Sequence, residues 1–441
     1  MILKRNQILE LSNKRKIIVK EVLGVGGQGE VYLVEQDNKQ YALKMYIDEI
    51  SCDFKYNLKS NIDRKSPSSN FLWPLEYIEY KNKSGYLMEL RPKEYDSFIS
   101  FLNGKVKFKD LNTLIHWCIE LCMSFKKLHE KGYSYQDLND GSFFLNKDNG
   151  SILICDNDNV TADKRNLGVL GKMKYMAPEI VRGDINSVTK ECQMPDIHSD
   201  RFSLAIILFM ALCLGNPFEG ERLKEYDFID EKAELELYGT KPIFIYHKLD
   251  KSNRPIRGYH KSVIKRWPLL PSYIKEAFHR TFVDGLKDRE NERTTELEWI
   301  KLLVQYRDEL LTCRCGKQYI YGYKETKLNV KCPYCNLDTK KFCTMQIGKN
   351  TIVLEPSKHL YKFHLDKYSS EYNEKIGTVI VNKNNPSLFG IKLHIDLDVE
   401  IKDQVGIVKR ISNQGVIPII NNLKIKFDEN LVAQINVNNE I

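Results

Sequence analysis

Asp137, inside Tyr135-Gln136-Asp137, and Asp156, inside Cys155-Asp156-Asn157-Asp158, are the residues of this chain best placed to do chemistry, and Tyr175-Met176-Ala177-Pro178-Glu179 follows them. An aspartate that orients a hydroxyl, a later aspartate that holds a divalent cation and a downstream anchor that shapes a platform are the parts needed to move a phosphoryl group. Upstream, Gly24-Val25-Gly26-Gly27-Gln28-Gly29 satisfies a GxGxxG pattern, and Tyr41-Ala42-Leu43-Lys44 comes after it. A lysine at the centre of an apolar strand is costly to bury unpaired, and phosphates would supply its partner. A second chemistry lies downstream, in Cys313-Arg314-Cys315 and, after sixteen intervening residues, Cys332-Pro333-Tyr334-Cys335. Four thiolates at Cys313, Cys315, Cys332 and Cys335 suit one tetrahedral Zn2+ in a structural site, with Cys343 as a possible replacement ligand.

These residues need elements to hold them. Lys16–Tyr46 alternates apolar and polar positions around glycines, which predicts strands of an antiparallel sheet. The glycines then form the tip of a β-hairpin, because Glu30-Val31-Tyr32-Leu33-Val34 continues as a strand where a dinucleotide-binding fold would need a helix. After Leu111 the spacing becomes helical, with Leu114, Ile115, Cys118, Leu121, Cys122 and Leu128 on one face until Gly132. A buried apolar helix is expected at Phe202–Leu214, followed by a polar, aromatic stretch from Asn216 to Pro271 that is long for a connection and reads as an insertion. The helices end near Leu311. Tyr319, Tyr321 and Tyr323 are expected to pack the small cysteine module. From about Thr351 the chain is β-like, with strands expected at Val379-Ile380-Val381, Ile391–Ile395, Ile407–Ile411 and Leu423–Phe427.

A length of 441 residues fits about three modules. The apolar fraction of 42% suffices for packed cores, and a net charge of +8 from 67 basic and 59 acidic side chains does not imply nucleic acid. The start of the sequence carries no apolar stretch of signal-peptide length, and the run around Leu204–Leu214 is too short to span a bilayer. Eleven cysteines, four of them in two close pairs, fit a reducing compartment, and a cytoplasmic location is expected with no membrane partner.

Taken together, the glycine loop, Lys44, Asp137, Asp156, Ala177-Pro178-Glu179, Asp200 and Arg293-Thr294 stand in the order of the eukaryotic-type (Hanks-type) serine/threonine protein kinases, which the chain resembles over roughly Lys16–Leu311. The spellings Tyr-Gln-Asp-Leu-Asn-Asp-Gly-Ser, Cys-Asp-Asn-Asp-Asn-Val and Phe71-Leu72-Trp73-Pro74-Leu75 resemble a bacterial branch found beside a von Willebrand A-type protein and a metal-dependent phosphatase. The resemblance implies an α+β chain: a bilobal protein-kinase fold, then a small zinc ribbon and a C-terminal β-sandwich. The expected boundaries are an N-terminal extension at 1–15 and a kinase domain at 16–311, with small lobe 16–90, large lobe 91–311 and an insertion at about 216–271. A zinc ribbon at 312–346 and a sandwich at 350–441 complete it. ATP, Mg2+ and structural Zn2+ are the implied cofactors, and a protein substrate, with those two proteins, the implied partners. Gly24, Gly26, Gly27, Gly29 and Val31 would surround the nucleotide, and Tyr86–Arg91 would form the hinge, with Met88 as gatekeeper and backbone contacts near Glu89 and Arg91. Lys44 would reach the α- and β-phosphates, Asp137 the substrate hydroxyl and Asp156 the magnesium. Asp200 would tie down the catalytic-loop backbone, and Glu179 would pair with Arg293.

The departures from the family pattern define what is unusual. The candidate helix at about Phe54–Lys65 contains no glutamate to clamp Lys44, leaving Asn57, Asn61 or Asp63 as substitutes. Ser142 stands where the family has a magnesium-binding asparagine, and Asp158 replaces a glycine and adds a carboxylate for the same ion. Asn139 replaces the catalytic-loop lysine, and Lys172, in place of a threonine, is expected to restore that cation near Asp137 and to act in catalysis. Gln136 replaces the arginine that would grip an activation-loop phosphate, and Thr161 is the one serine or threonine between Asp156 and Glu179. No phosphorylation switch is therefore expected, and Thr161→Ala should be nearly silent. The alternatives are a nucleotide-binding pseudokinase scaffold and a small-molecule kinase, against which the Ala-Pro-Glu platform argues.

Overall fold

The computed structural model describes residues 2–11, 15–165, 167, 171–185, 192–320, 331–338, 342–366, 368–385, 388–412 and 414–438. They fall into two units: residues 1–109, 116–268 and 272–300 form one, and residues 110–115, 269–271 and 301–441 the other.

The first unit opens with a six-stranded antiparallel sheet of β1 (Ile8–Glu10), β2 (Lys16–Val25), β3 (Gly29–Gln36), β4 (Lys39–Tyr46), β5 (Glu76–Tyr80) and β6 (Lys83–Glu89), in the order β1-β2-β3-β4-β6-β5. The period of two along β4 sorts its side chains between the two faces. Leu43 and Met45 join Leu9, Ile17, Val19 and Tyr32 on one face, while Ala42 and Tyr46 join Tyr86 and Met88 on the other, under Phe54 and Leu58 of helix α1 (Cys52–Arg64). Residues read as an N-terminal extension supply an edge strand and buried Leu3, Leu9 and Leu11, because a short apolar run between lysines and arginines carries too weak an alternation to be read as a strand.

The rest of this unit is mainly helical. Residues 116–130 of the helix Leu111–Glu130 belong to this unit, and the helix ends before Gly132, whose φ of +74° is a conformation glycine adopts without steric cost. The helix Ile197–Cys213 begins earlier than its apolar run because Asp196 and Ser199 form a reciprocal capping box. The stretch read as an insertion shares the same core: Phe218 and Phe244 lie 5.3 and 5.2 Å from Phe282, ring centre to ring centre, and Phe244 lies 5.7 Å from Phe209.

In the second unit, two antiparallel sheets share one core. One orders its strands Asn350–Leu354, Phe342–Ile347, Val432–Asn438, Lys424–Lys426, Val399–Lys402 and Val408–Ile411; the other orders His359–Tyr361, Lys375–Val381, Phe389–Leu393 and Val416–Pro418. Met345, Ile347 and Ile435 from the first meet Val379, Ile391 and Ile417 from the second. Phe342–Ile347 pairs with Val432–Asn438 in register, so residues 342–346, assigned to the ribbon from sequence, belong to this sheet. A short hairpin, Leu310–Thr312 with Gln318–Ile320, precedes it and buries Tyr319; Tyr321 and Tyr323 lie outside the described residues. Among the described residues no helix is long and apolar enough to cross a membrane.

A buried charge cluster joins the helices of the first unit. His129 points Nε2 at Asp200 Oδ2 (3.1 Å) and Nδ1 at Glu296 Oε1 (2.9 Å), and Arg201 Nε donates to the same glutamate at 2.9 Å. Both ring nitrogens face carboxylates, so the imidazolium satisfies both. Burial alone would lower the His129 pKa, but the bonds to Asp200 and Glu296 outweigh it and raise it from 6.5 to about 9. Folding thus favours the protonated ring, and its contribution, on the order of 3 kcal/mol, is complete below pH 6.5 and lost as pH rises through about 9. Denaturant unfolding at pH 6, 7.5 and 9 should show stability falling across that window, and His129→Gln should flatten the fall.

Candidate functional site

The register of the sheet builds the first part of the site. Lys44 on β4 stands opposite Tyr86 on β6, and Tyr46, two residues on, shares its face. All three converge on one carboxylate: Asp158 Oδ2 accepts from Lys44 Nζ at 2.8 Å and from the Tyr46 hydroxyl at 2.6 Å, and Oδ1 accepts from the Tyr86 hydroxyl at 3.1 Å. Burial would lower the Lys44 pKa, yet Asp158 and then Asp156 hold it up at about 12; Lys44 in turn keeps buried Asp158 below the usual carboxylate range. Asp156 is the second neighbour, its Oδ1 3.6 Å from Lys44 Nζ, and its side chain keeps 44% exposure while that of Asp158 has none.

Asp158 was expected among the magnesium ligands, and the structure gives its oxygens to the lysine and two tyrosines instead. None of the substitutes expected on the helix clamps Lys44 either. Asn57 and Asn61, one turn apart on α1, both donate to the Val160 carbonyl at 2.8 Å, and Asp63 is exposed. The sequence reading gave Tyr86 to the hinge strand and passed over Tyr46, because a tyrosine in an apolar strand looks like ordinary core. The available signal was the reverse need, since an aspartate flanked by two asparagines in a buried run must find donors.

The aspartate-bearing segments are fixed through their backbones. Gln136 and Asp156 hold left-handed conformations, φ +71° and +55°, that cost a non-glycine residue free energy and persist only where neighbours impose them. Asp200 accepts from the backbone N–H of Tyr135 (2.6 Å) and of Gln136 (3.3 Å), as expected for a residue tying down this loop. The Tyr135 hydroxyl donates to the carbonyl of Cys155, next to Asp156. On the other side Asn157 donates to the carbonyls of Leu72 (2.8 Å) and Ile154 (2.9 Å), and Trp73 Nε1 donates to Asn61 of α1 (2.8 Å). The Phe71-Leu72-Trp73 segment therefore ties helix α1 to the Asp156 turn.

Asp137 stands partly exposed beside Asn139, whose amide donates to its Oδ1 at 3.1 Å. Burial pushes the Asp137 carboxyl up, and Asn139 and Lys172 draw it back. Lys172 Nζ lies 3.2 Å from Asn139 Oδ1 and 3.5 Å from Asp140 Oδ1, so the exchanged pair meets in space. Ser142, expected as a magnesium ligand, is fully buried and directs its hydroxyl at the Asp137 carbonyl (3.4 Å); as placed, it braces the loop. At the glycine hairpin, Gly29 has no room for a Cβ, which would stand 2.6 Å from the Met45 carbonyl, whereas Gly24 and Gly27 face open space. Val31 and Leu90 pack against Ala42 and Met88 beneath that hairpin. The Glu89 and Arg91 side chains point elsewhere, to Lys39 (3.0 Å) and to the Tyr95 carbonyl (2.8 Å).

A family model described as the protein kinase domain matches residues 17–293. The chain belongs to the protein kinase family. Similar proteins include human ribosomal protein S6 kinase alpha-2, 27% identical over 229 residues that cover 49% of this chain and 29% of that protein. Protein kinase YegI of Escherichia coli K12 is 24% identical over 233 residues, covering 52% of this chain and 33% of its own length. Serine/threonine-protein kinase AtPK2/AtPK19 of Arabidopsis thaliana is 24% identical over 234 residues, 49% of this chain and 46% of its length. The chain thus spans less than half the length of these relatives.

Within the kinase domain Glu179 and Arg293 form a buried bidentate pair at 2.8 Å in both arms. The cysteine module gathers Cys313, Cys315, Cys332 and Cys335 with all sulfurs within 4.8 Å of one another; Cys343 lies on the strand Phe342–Ile347, outside that group. Cys313 and Cys332 each begin a turn, closed by Gly316 N–H on the Cys313 carbonyl (2.9 Å) and by Asn336 N–H on the Cys332 carbonyl (2.8 Å).

Gln136, at the position of a phosphate-gripping arginine, donates to Thr161 Oγ1 at 2.6 Å and to the Arg165 carbonyl, while Thr161 donates to the carbonyls of Ala162 (2.8 Å) and Arg165 (2.9 Å). Thr161 has no exposure, so its replacement is not silent for stability. Thr161→Ala should lower the unfolding free energy by about 1–3 kcal/mol, seen as a lower Tm, while Thr161→Ser should stay close to the parent.

Proposed function

We propose that the chain is an ATP- and magnesium-dependent serine/threonine protein kinase with a rebuilt catalytic loop and no activation-loop phosphorylation switch. The observation that carries this reading is the meeting of Lys44 with Asp156 at 3.6 Å, one on the small-lobe sheet and the other on the turn after Ile154, with the Asp156 carboxylate still half exposed. The open space beside Gly24 and Gly27 supports phosphates lying under the hairpin tip, and Val31, Ala42 and Met88 offer the apolar surface that an adenine ring needs.

Magnesium asks for hard oxygen donors and keeps part of its water shell, which fits the exposed carboxylate of Asp156. Bound there, the ion would neutralise charge on the β- and γ-phosphates. In the reaction a substrate serine or threonine oxygen forms a bond to the γ-phosphorus as the bond from that phosphorus to the β–γ bridging oxygen breaks. ADP leaves, and the hydroxyl proton passes to Asp137, whose burial suits it to accept one. Lys172, held by Asn139 and more than half exposed, supplies a cation toward the transferred group in place of the missing loop lysine. Gln136 is neutral and already bonded to Thr161 and Arg165, which supports activity without a phosphate at that clamp.

The ribbon reading rests on the four thiols. Tetrahedral zinc with bonds of about 2.3 Å puts its sulfurs about 3.8 Å apart, and Cys313–Cys335 and Cys315–Cys332 stand at 3.5 and 3.8 Å. The ion is structural in this reading, closing a small module with little core of its own.

Two measurements test these statements. With [γ-32P]ATP and a generic protein acceptor, Asp137→Asn should reduce transfer by at least about 100-fold and Lys172→Ala by about tenfold; magnesium-dependent ATP binding with no Asp137-dependent transfer would leave the scaffold reading instead. Elemental analysis should find one zinc per chain, and chelation or Cys332→Ser should lower the Tm without abolishing ATP binding.

A further inference from the structure

Whatever holds the nucleotide-facing lysine decides whether that lysine stands ready for phosphate, and here the holder is not on the helix. Asp53 and Asp63, the acids of α1, are both exposed, and the buried amides Asn57 and Asn61 are committed to Val160. Asp158 has a side-chain exposure of zero and three protein donors on its two oxygens. A magnesium ligand needs an oxygen turned toward the ion and its remaining waters. Asp156 meets that need, and Asp158 does not. The two tyrosines add a second constraint, because Lys44 Nζ lies 5.5 Å and 5.8 Å from the ring centres of Tyr46 and Tyr86. The ammonium is thus confined by a carboxylate and two ring faces, all supplied by β4, β6 and the Asp156 turn.

Building on the kinase reading, we propose that Asp158 is the positioning residue for Lys44, holding its ammonium for the nucleotide in the role a helix glutamate would otherwise fill, and that Tyr46 and Tyr86 orient Asp158 for this task. Asp158 touches neither substrate nor metal and acts through Lys44. The same turn therefore carries two carboxylates with separate duties: Asp156 faces the ion, and Asp158 faces the lysine.

The test uses the full chain with Asp158→Asn, Asp156→Asn and the double variant Tyr46→Phe/Tyr86→Phe. Each is read by ATP binding across a magnesium titration and by the rate at which an amine-acylating reagent modifies Lys44 without nucleotide. Asp158→Asn should weaken MgATP binding about tenfold, the loss expected of one hydrogen bond between charged groups. It should leave the magnesium midpoint at the parent value and speed Lys44 acylation. Asp156→Asn should move the magnesium midpoint. The tyrosine variant, which keeps both charges and the ring volumes, should show a smaller change in the same direction as Asp158→Asn, and it decides the matter if Asp158→Asn fails to fold. Unchanged ATP affinity and unchanged acylation would overturn the proposal, as would a magnesium midpoint displaced as far as in Asp156→Asn. A parent chain that binds no ATP would overturn the kinase reading alone, since acylation of the free chain still reports whether Asp158 holds Lys44.

Discussion

Lys44 lies on the inner face of a sheet, almost wholly out of water, and an ammonium there is tolerated only with a carboxylate and further polar partners in good geometry. Much of the arrangement of that sheet follows from this requirement. The register that sets Tyr86 opposite Lys44, and the period of two that sets Tyr46 beside it, place two hydroxyls where one buried aspartate can accept both and the lysine as well. That aspartate sits next but one to Asp156, so satisfying the lysine also fixes the turn that carries the exposed carboxylate. Among the described residues, removing Asp158 would leave the buried cation with the more distant Asp156 as its carboxylate, which is why the pair and its tyrosines form one unit.

The segments that carry Asp137 and Asp156 rest on a related exchange between strain and hydrogen bonding. Gln136 and Asp156 both occupy left-handed backbone conformations, each costing on the order of 1–3 kcal/mol. The compensating contacts are specific. Asp200 holds the two N–H groups at Tyr135 and Gln136, Tyr135 reaches across to Cys155, and Asn157 is bonded to the Leu72 and Ile154 carbonyls. Asp200 is itself fixed by His129, so the protonated histidine in the helical core and the strained loop at the site belong to one continuous network.

Where a residue's position or partner follows from its type and its place in a known order, the sequence alone pointed to it. The hairpin at the glycines, the strand position of Lys44, the tie from Asp200 and the Glu179–Arg293 pair are of this kind, as is the meeting of Lys172 with Asn139, which needed two exchanged positions to be considered together. The strands around Val379, Ile391 and Ile425 were legible from alternation. The edge strand at Ile8–Glu10 was not, because so short a run acquires meaning only from its partner. Nor was the direction in which Asp158 and Ser142 point. An extra carboxylate and a hydroxyl near Asp156 read as ligands until burial is known, and the burial of Asp158 comes from strands whose contacting residues lie 114 and 72 positions away in sequence.

The two asparagines on α1 make sense in the same terms. A glutamate at either position would have to be buried beside Asp158, and two carboxylates sharing one ammonium would leave one of them raised in pKa or unpaired. Amides avoid that conflict. They attach the helix to Val160 through two neutral bonds, each worth roughly 0.5–1.5 kcal/mol, without competing for the lysine. The absence of a helix glutamate and the presence of Asp158 are therefore a single change in the placement of negative charge. The negative charge beside Lys44 stands on the Asp156 turn, and the helix is attached through groups that carry none.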